Sequence, residues 1–200
     1  GQHYLKRGAP TMVNYPEELI SRITDPMLKH MHTKTDNLTW DHVMRIRDNW
    51  PGNLLVKGLH SAEDSLIAKE KGLDGVILSN HGGRYVDCAP APLQLLPETR
   101  TAVGNDFTVI IDSGARRGSD LVKAMALGAD LVMSGRPTLW GAAVAGADGS
   151  FRALEIFYEE MDRVMAQLGL NSVAEIGPEI FWNPPDWVPQ RQKIIRAAAE

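Results

Sequence analysis

The stretch Ser79-Asn80-His81-Gly82-Gly83-Arg84 sets an imidazole and a guanidinium three residues apart, with two glycines between them. An imidazole can move a proton near neutral pH, and a guanidinium can hold a carboxylate or phosphate through two parallel hydrogen bonds. The glycines permit unusual backbone geometry and let a ligand approach closely. The stretch follows Gly75-Val76-Ile77-Leu78, an apolar run that reads as a buried strand. Taken alone, it could equally be a polar turn in which His81 caps a strand. What separates the two readings is recurrence. Lys57 follows the apolar Leu54-Leu55-Val56, and Asp112-Ser113-Gly114 follows Phe107-Thr108-Val109-Ile110-Ile111. Ser134-Gly135-Arg136-Pro137 follows Leu131-Val132-Met133. Lys57, His81, Arg84, Asp112, Arg116, Gly135 and Arg136 are therefore expected on one rim. Gly135 and Arg136, leading toward a short helix, suit a phosphate cradle of backbone N–H groups and one bidentate cation. Asp112 with Gly114 suits the hydroxyls of a sugar-like chain, with Arg116 reaching the same phosphate.

The elements that must position these groups alternate regularly. Thr39 can start a helix with Trp40, Val43, Met44 and Ile46 on one side, ended by Trp50-Pro51-Gly52. Ser61-Ala62-Glu63-Asp64 resembles a capping signal for a helix through Lys71, closed by Gly72. Further helices are expected over 91–103, 119–127 and 150–168. Four short apolar strands, each followed by a helix, imply parallel pairing with burial on both sheet faces. Functional side chains just beyond strand C-termini are the arrangement of (β/α) barrels and of open doubly wound sheets. A complete barrel needs about 250 residues. These four units are thus expected to be the second half of a (β/α)8 TIM barrel, and the chain opens on Gly1 as a processed or excised piece would. The expected organisation is a variable loop or lid over 1–38, a half-barrel over 39–177 and a Pro/Trp-rich extension over 178–200.

Bulk properties narrow the partners. A net charge of −4 argues against a general nucleic-acid binder, which would usually be basic. The single cysteine, Cys88, excludes an internal disulfide framework and leads us to expect a reducing, cytoplasmic setting. No run of about 18 apolar residues is present to form a spanning helix. His30 and His32 lack the Cys or carboxylate companions of a metal site, so no metal is expected.

Several blocks resemble the signatures of the FMN-dependent 2-hydroxy acid oxidases and dehydrogenases. They are Leu55-Val56-Lys57-Gly58, the 79–84 stretch, Asp112-Ser113-Gly114-Ala115-Arg116-Arg117-Gly118, and Leu127-Gly128-Ala129-Asp130 with Gly135-Arg136. The resemblance runs from about Gly1 to Glu179. Asn49-Trp50-Pro51, Arg117-Gly118-Ser119-Asp120 and Met165-Ala166-Gln167-Leu168-Gly169 are most similar to the mandelate dehydrogenase branch. The resemblance implies FMN as cofactor and oxidation of a small (S)-2-hydroxy acid, mandelate- or lactate-like, to the 2-oxo acid. His81 would be the base, taking either the α-carbon proton or the hydroxyl proton as two electrons pass to the flavin. Arg84 would bind the substrate carboxylate, and Lys57 would sit beside the flavin and stabilise its reduced form. Ser79 would contact the flavin. Asp112, Ser113, Gly114, Ala115 and Arg116 would hold the ribityl chain and phosphate, and Gly135 and Arg136 would complete the phosphate site.

The resemblance also implies what this chain does not carry. Further flavin contacts, two active-site tyrosines and an acidic partner for the base belong to the first half of the barrel, which is an expected partner. A second substrate-binding arginine follows a glycine in the family. With Gly1 as that glycine, His3 stands in its place and would bind a carboxylate only when protonated. A homo-oligomer is expected, and the 8–37 segment is a candidate for peripheral membrane contact on the cytoplasmic side. Two other readings stay open. One is a phosphate-binding barrel isomerase or lyase in which Lys57 forms a Schiff base. The other is a non-catalytic half-barrel scaffold that pairs through its open strand edges.

Overall fold

The computed structural model describes residues 38–182. The chain divides into two compact units, 1–46 and 47–200. Helix α1 (Trp40–Asn49) begins in the first and ends in the second; Thr39 precedes it, the Thr39 backbone N–H donating to His42 Nδ1 at 3.1 Å. The second holds β1 (Leu55–Leu59), α2 (Ala62–Glu70), β2 (Gly75–Leu78), α3 (Pro92–Val103), β3 (Thr108–Ile111), α4 (Gly118–Ala126) and β4 (Leu131–Val132). A long helical stretch, α5 (Arg136–Leu168), follows and is broken at Ala145 and Gly146.

The strands form one parallel sheet in the order β1-β2-β3-β4. Parallel neighbours need a crossover, and each helix supplies one. Register separates two faces. Val56, Val76 and Val109 align across the sheet, and Val76 and Val109 are fully buried with Leu96, Val103 and Val122. The other face carries the aligned row Lys57, Ile77, Ile110 and Leu131, which is only partly covered. This row is the inner lining of a barrel.

The expectation of strands buried on both faces therefore holds only in part. β1 and β4 are the outermost strands, and Leu131 is 60% exposed. Met133, Leu139, Trp140 and Phe151 are exposed as well. Among the described residues no strand pairs with the outer edges of β1 and β4, and apolar surface stays uncovered there.

The short helix expected after Gly135 begins at Arg136, where Pro137 suits a first helical turn, and the helix expected over 150–168 is the second arm, starting just after the break at Ala145 and Gly146. After the break, the two helical arms approach closely enough that a side chain at Gly141 or Gly149 would overlap the other's backbone. Ser61 caps α2 as expected, its Oγ accepting from Asp64 N at 3.0 Å.

The strand N-termini carry a repeated fastening. Asp74 Oδ2 accepts from Leu54 N at 2.7 Å and from Arg47 at 2.8 Å. Asp130 Oδ2 accepts from Val109 N at 2.7 Å and from Arg100 at 2.6 Å. Arg100 also donates to the carbonyls of Gly128, Gly104 and Phe107 at 2.7–2.8 Å. Arg100→Met strands these acceptors at the end of the sheet remote from the cavity. It is expected to cost about 2–3 kcal/mol, read as a fall in Tm of several degrees with ligand binding retained.

Candidate active site

The 79–84 loop is built by its own side chains. Ser79 is fully buried at the end of β2. Its Oγ accepts from His81 N at 3.1 Å and from Lys57 Nζ at 3.0 Å, and donates to Asp112 Oδ2 at 2.7 Å. Asn80 Oδ1 and Ser113 Oγ both accept from Gly82 N at 3.0 Å. These bonds hold His81 at φ 54 and Ser113 at φ 86, left-handed values that non-glycine residues adopt rarely and at a cost of about 1–3 kcal/mol each. Two such residues meeting in one place mark a site held in shape for a purpose. Gly58, at φ 101, runs beneath the imidazole. A Cβ there would lie 3.0 Å from His81 Cε1. No hydrogen bond from the described residues occupies either ring nitrogen of His81, so the ring is available for proton transfer.

Lys57, expected beside a cofactor, and Asp112, expected on hydroxyls, are brought together. Lys57 Nζ donates to Asp112 Oδ2 at 2.7 Å. Burial alone would raise the Asp112 pKa; the hydrogen bonds from Lys57 and Ser79, with the Lys57 charge, outweigh it and hold the carboxyl below its ordinary value. A Schiff-base lysine is activated by apolar surroundings or a neighbouring cation. Lys57 instead meets a carboxylate and a hydroxyl, which disfavours the isomerase or lyase reading.

Beyond the strand ends lies a cavity of about 560 Å³. Lys57, His81, Arg84, Asp112, Arg116 and Arg136 line it, joined by Ser113, Gly114, Ala115 and Gly135. Ser79 lies behind this wall and acts through Lys57, Asp112 and the His81 backbone. His3, His30 and His32 fall outside the described residues. Arg84, Arg116 and Arg136 have no carboxylate partner among the described residues. Arg136 donates only to Gly82 O at 3.0 Å, and Arg116 to Ala115 O at 3.1 Å while lying over the Trp140 ring at 5.2 Å. A Cβ at Gly82 would overlap the Arg136 guanidinium, so this glycine is what lets Arg136 reach the loop. Three guanidiniums without a carboxylate partner among the described residues, around one cavity, are a donor set suited to an anion. Gly114 and Gly135 face open space, and Gly135 leads directly into α5, leaving backbone N–H groups for a phosphate. The donor set fits a flavin mononucleotide: an anion cradle, an acid for ribityl hydroxyls and a cation for the electron-accepting ring system.

Two residues near this site carry no strong sequence signal. His60 Nε2 donates to Ser79 O at 2.8 Å, bracing the strand end from behind. Tyr85 packs against both His81 and Arg84. Its place directly after Arg84 in the loop is the one clue that could have found it.

A parallel β/α half-barrel with an anion-binding rim at its strand C-termini is the class that fold and site define. The chain belongs to the FMN-dependent dehydrogenase family, whose description matches residues 9–183. It is 39% identical over 180 residues to (S)-mandelate dehydrogenase of Pseudomonas putida, covering 90% of this chain and 45% of that protein. A 2-hydroxyacid oxidase of Dictyostelium discoideum is 33% identical over 171 residues, covering 85% and 44%. Among solved structures, the monotopic membrane protein (S)-mandelate dehydrogenase superposes with a TM-score of 0.78 at 39% identity, covering 89% of this chain and 47% of that one. The chain thus spans about half the length of the curated relatives it matches. The fold is that of part of an FMN-dependent TIM-barrel enzyme. No helix among the described residues is long and apolar enough to cross a membrane.

Proposed function

We propose that this chain carries the chemical half of an FMN-dependent dehydrogenase or oxidase acting on small (S)-2-hydroxy acids, mandelate- or lactate-like. The observation that carries the reading is the free imidazole of His81 on the same rim as three guanidiniums without carboxylate partners. Bound FMN would supply the two-electron acceptor. Arg84 binds the substrate carboxylate and orients the molecule, leaving its hydroxyl-bearing carbon toward His81. His81, with no competing hydrogen bond, takes the proton released on oxidation at a ring nitrogen. Lys57 brings positive charge to the cofactor ring. Arg116, Arg136, Gly114 and Gly135 hold the phosphate, and Asp112 and Ser113 the ribityl chain.

The partner is an N-terminal half-barrel, supported by the open edges of β1 and β4 and by the doubled length of the relatives. Residues 1–38 form a variable segment and 178–200 an extension from the half-barrel of 39–177. His3 is the second carboxylate ligand when protonated. Contact of the 8–37 segment with a membrane rests on likeness to the monotopic relative. The completed enzyme forms a homo-oligomer on the cytoplasmic side.

The test is an absorption spectrum of the chain completed by its N-terminal half, before and after (S)-mandelate or (S)-lactate. A flavin band that bleaches supports the reading; a colourless protein, or a band that neither acid bleaches, overturns it. In the same preparation Arg136→Met is expected to weaken FMN binding by about 10- to 100-fold, the loss of one charge-assisted contact, measured by flavin fluorescence.

A further inference from the structure

The His81 imidazole is oriented without any polar partner among the described residues, although a base must face its substrate accurately. The two contacts that limit it are non-polar. Gly58 runs along one side, so close that a Cβ would lie 3.0 Å from Cε1. The Tyr85 ring stands against the imidazole at a centroid distance of 5.2 Å and an interplanar angle of 89°. The same tyrosine supports the carboxylate clamp: Arg84 Cζ lies 5.6 Å from its ring centroid. One side chain thus touches both groups that must act together.

We infer that Tyr85 is a positioning residue that fixes the His81 imidazole and the Arg84 guanidinium relative to each other. The inference rests on the proposed oxidation of 2-hydroxy acids. The geometry follows from the local chain. His81, Gly82 and Gly83 turn the chain tightly at φ 54, 70 and 76, and Arg84 returns to φ −78 and ψ −30, which leaves the Tyr85 ring against the imidazole. The edge-to-face arrangement suits two aromatic rings, and the face of a tyrosine attracts a guanidinium while leaving its planar N–H edge for a carboxylate. Substrate binding needs the carboxylate on Arg84 and the reacting carbon at His81 simultaneously, so the spacing of the two groups sets the productive geometry. Displacing catalytic groups by an ångström can cost on the order of a hundredfold in rate. The role belongs to the ring. No hydrogen bond from the described residues engages the phenol oxygen, and Phe should serve in its place.

The test compares Tyr85→Leu and Tyr85→Phe in the completed, FMN-loaded protein. Tyr85→Leu is expected to slow flavin bleaching by (S)-mandelate about 10- to 100-fold with FMN affinity unchanged, and to weaken binding of benzoylformate, a 2-oxo acid. Tyr85→Phe should rescue both. Independently of turnover, the His81 Cε1–H resonance, assigned by its loss in His81→Ala, should coincide in wild type and Tyr85→Phe and move in Tyr85→Leu as the ring current disappears. Unchanged rate and resonance in Tyr85→Leu overturn the inference. So does a Tyr85→Phe variant as slow as Tyr85→Leu, which would assign a direct role to the hydroxyl. If the wild-type flavin is not bleached by either acid, the functional reading fails, while the resonance still reports whether Tyr85 positions His81.

Discussion

His81→Ala, in the completed barrel, is expected to bind FMN with wild-type affinity and to lose about 10²- to 10⁴-fold in the rate at which (S)-mandelate bleaches it. The separation of the two effects follows from the contacts. The His81 ring makes no hydrogen bond within the described residues, whereas its backbone N–H, which the substitution keeps, is what Ser79 Oγ holds. The proposed phosphate cradle lies on other loops, at Gly114, Arg116, Gly135 and Arg136, which line the same cavity. Alanine at φ 54 adds strain that histidine tolerates somewhat better, so a modest fall in Tm is expected alongside. Stopped-flow absorbance and flavin fluorescence measure the two quantities. A bleaching rate within about tenfold of wild type would remove His81 from the base role.

Lys57→Met carries the second large effect. Its ammonium is the positive charge proposed to face the cofactor ring, and reduction makes that ring more negative. The flavin midpoint potential is expected to drop by about 30–60 mV, the two-electron equivalent of one charge-assisted hydrogen bond. An unchanged potential would reject the placement of Lys57. The substitution also leaves Asp112 without the partner that opposes its burial. In the wild type the Asp112 pKa is lowered, so its contribution to stability is present above the unfolded value of about 3.9 and fades as pH falls through the folded one. Without Lys57 only the hydrogen bonds from Ser79 and Ser113 still oppose burial, so the depression of the Asp112 pKa shrinks and with it the pH-dependent stability. Denaturant midpoints at pH 7 and about pH 3 should then differ less in Lys57→Met than in wild type.

Much of the site was legible along the chain because its groups sit at fixed offsets from apolar runs. Gly75-Val76-Ile77-Leu78 is the β2 strand, and the glycines after His81 adopt the positive φ values their side-chain freedom allows. Asp130 belongs to one of the family-like blocks, and it fastens β3 to β4 at the end of the sheet away from the cavity, bonded to Val109 N and Arg100. A motif marks that a residue matters, not whether it serves chemistry or architecture. Ser79 shows the same limit, being fully buried behind the residues it positions. Tyr85 escaped notice because an exposed aromatic in a loop has many uses, and only its ring contacts show which.

Residue order alone determined the four β/α units, the strand ends that carry Lys57, His81, Asp112 and Arg136, and the family the chain belongs to. Hydrophobic period and glycine punctuation are local, and they survive in any reading of the chain. The tertiary structure decided which groups meet. Lys57 finds Ser79 and Asp112 across 22 and 55 residues, and Arg136 reaches back 54 residues to Gly82. Those meetings depend on strand order and on the register that aligns Lys57 with Ile77 and Ile77 with Ile110. The absence of carboxylates beside Arg84, Arg116 and Arg136 among the described residues is likewise a property of the packed rim. The sequence holds twenty-five acidic residues, and among the described ones folding sets Asp74, Asp106 and Asp130 beside Arg47, Lys69 and Arg100 rather than beside these three guanidiniums.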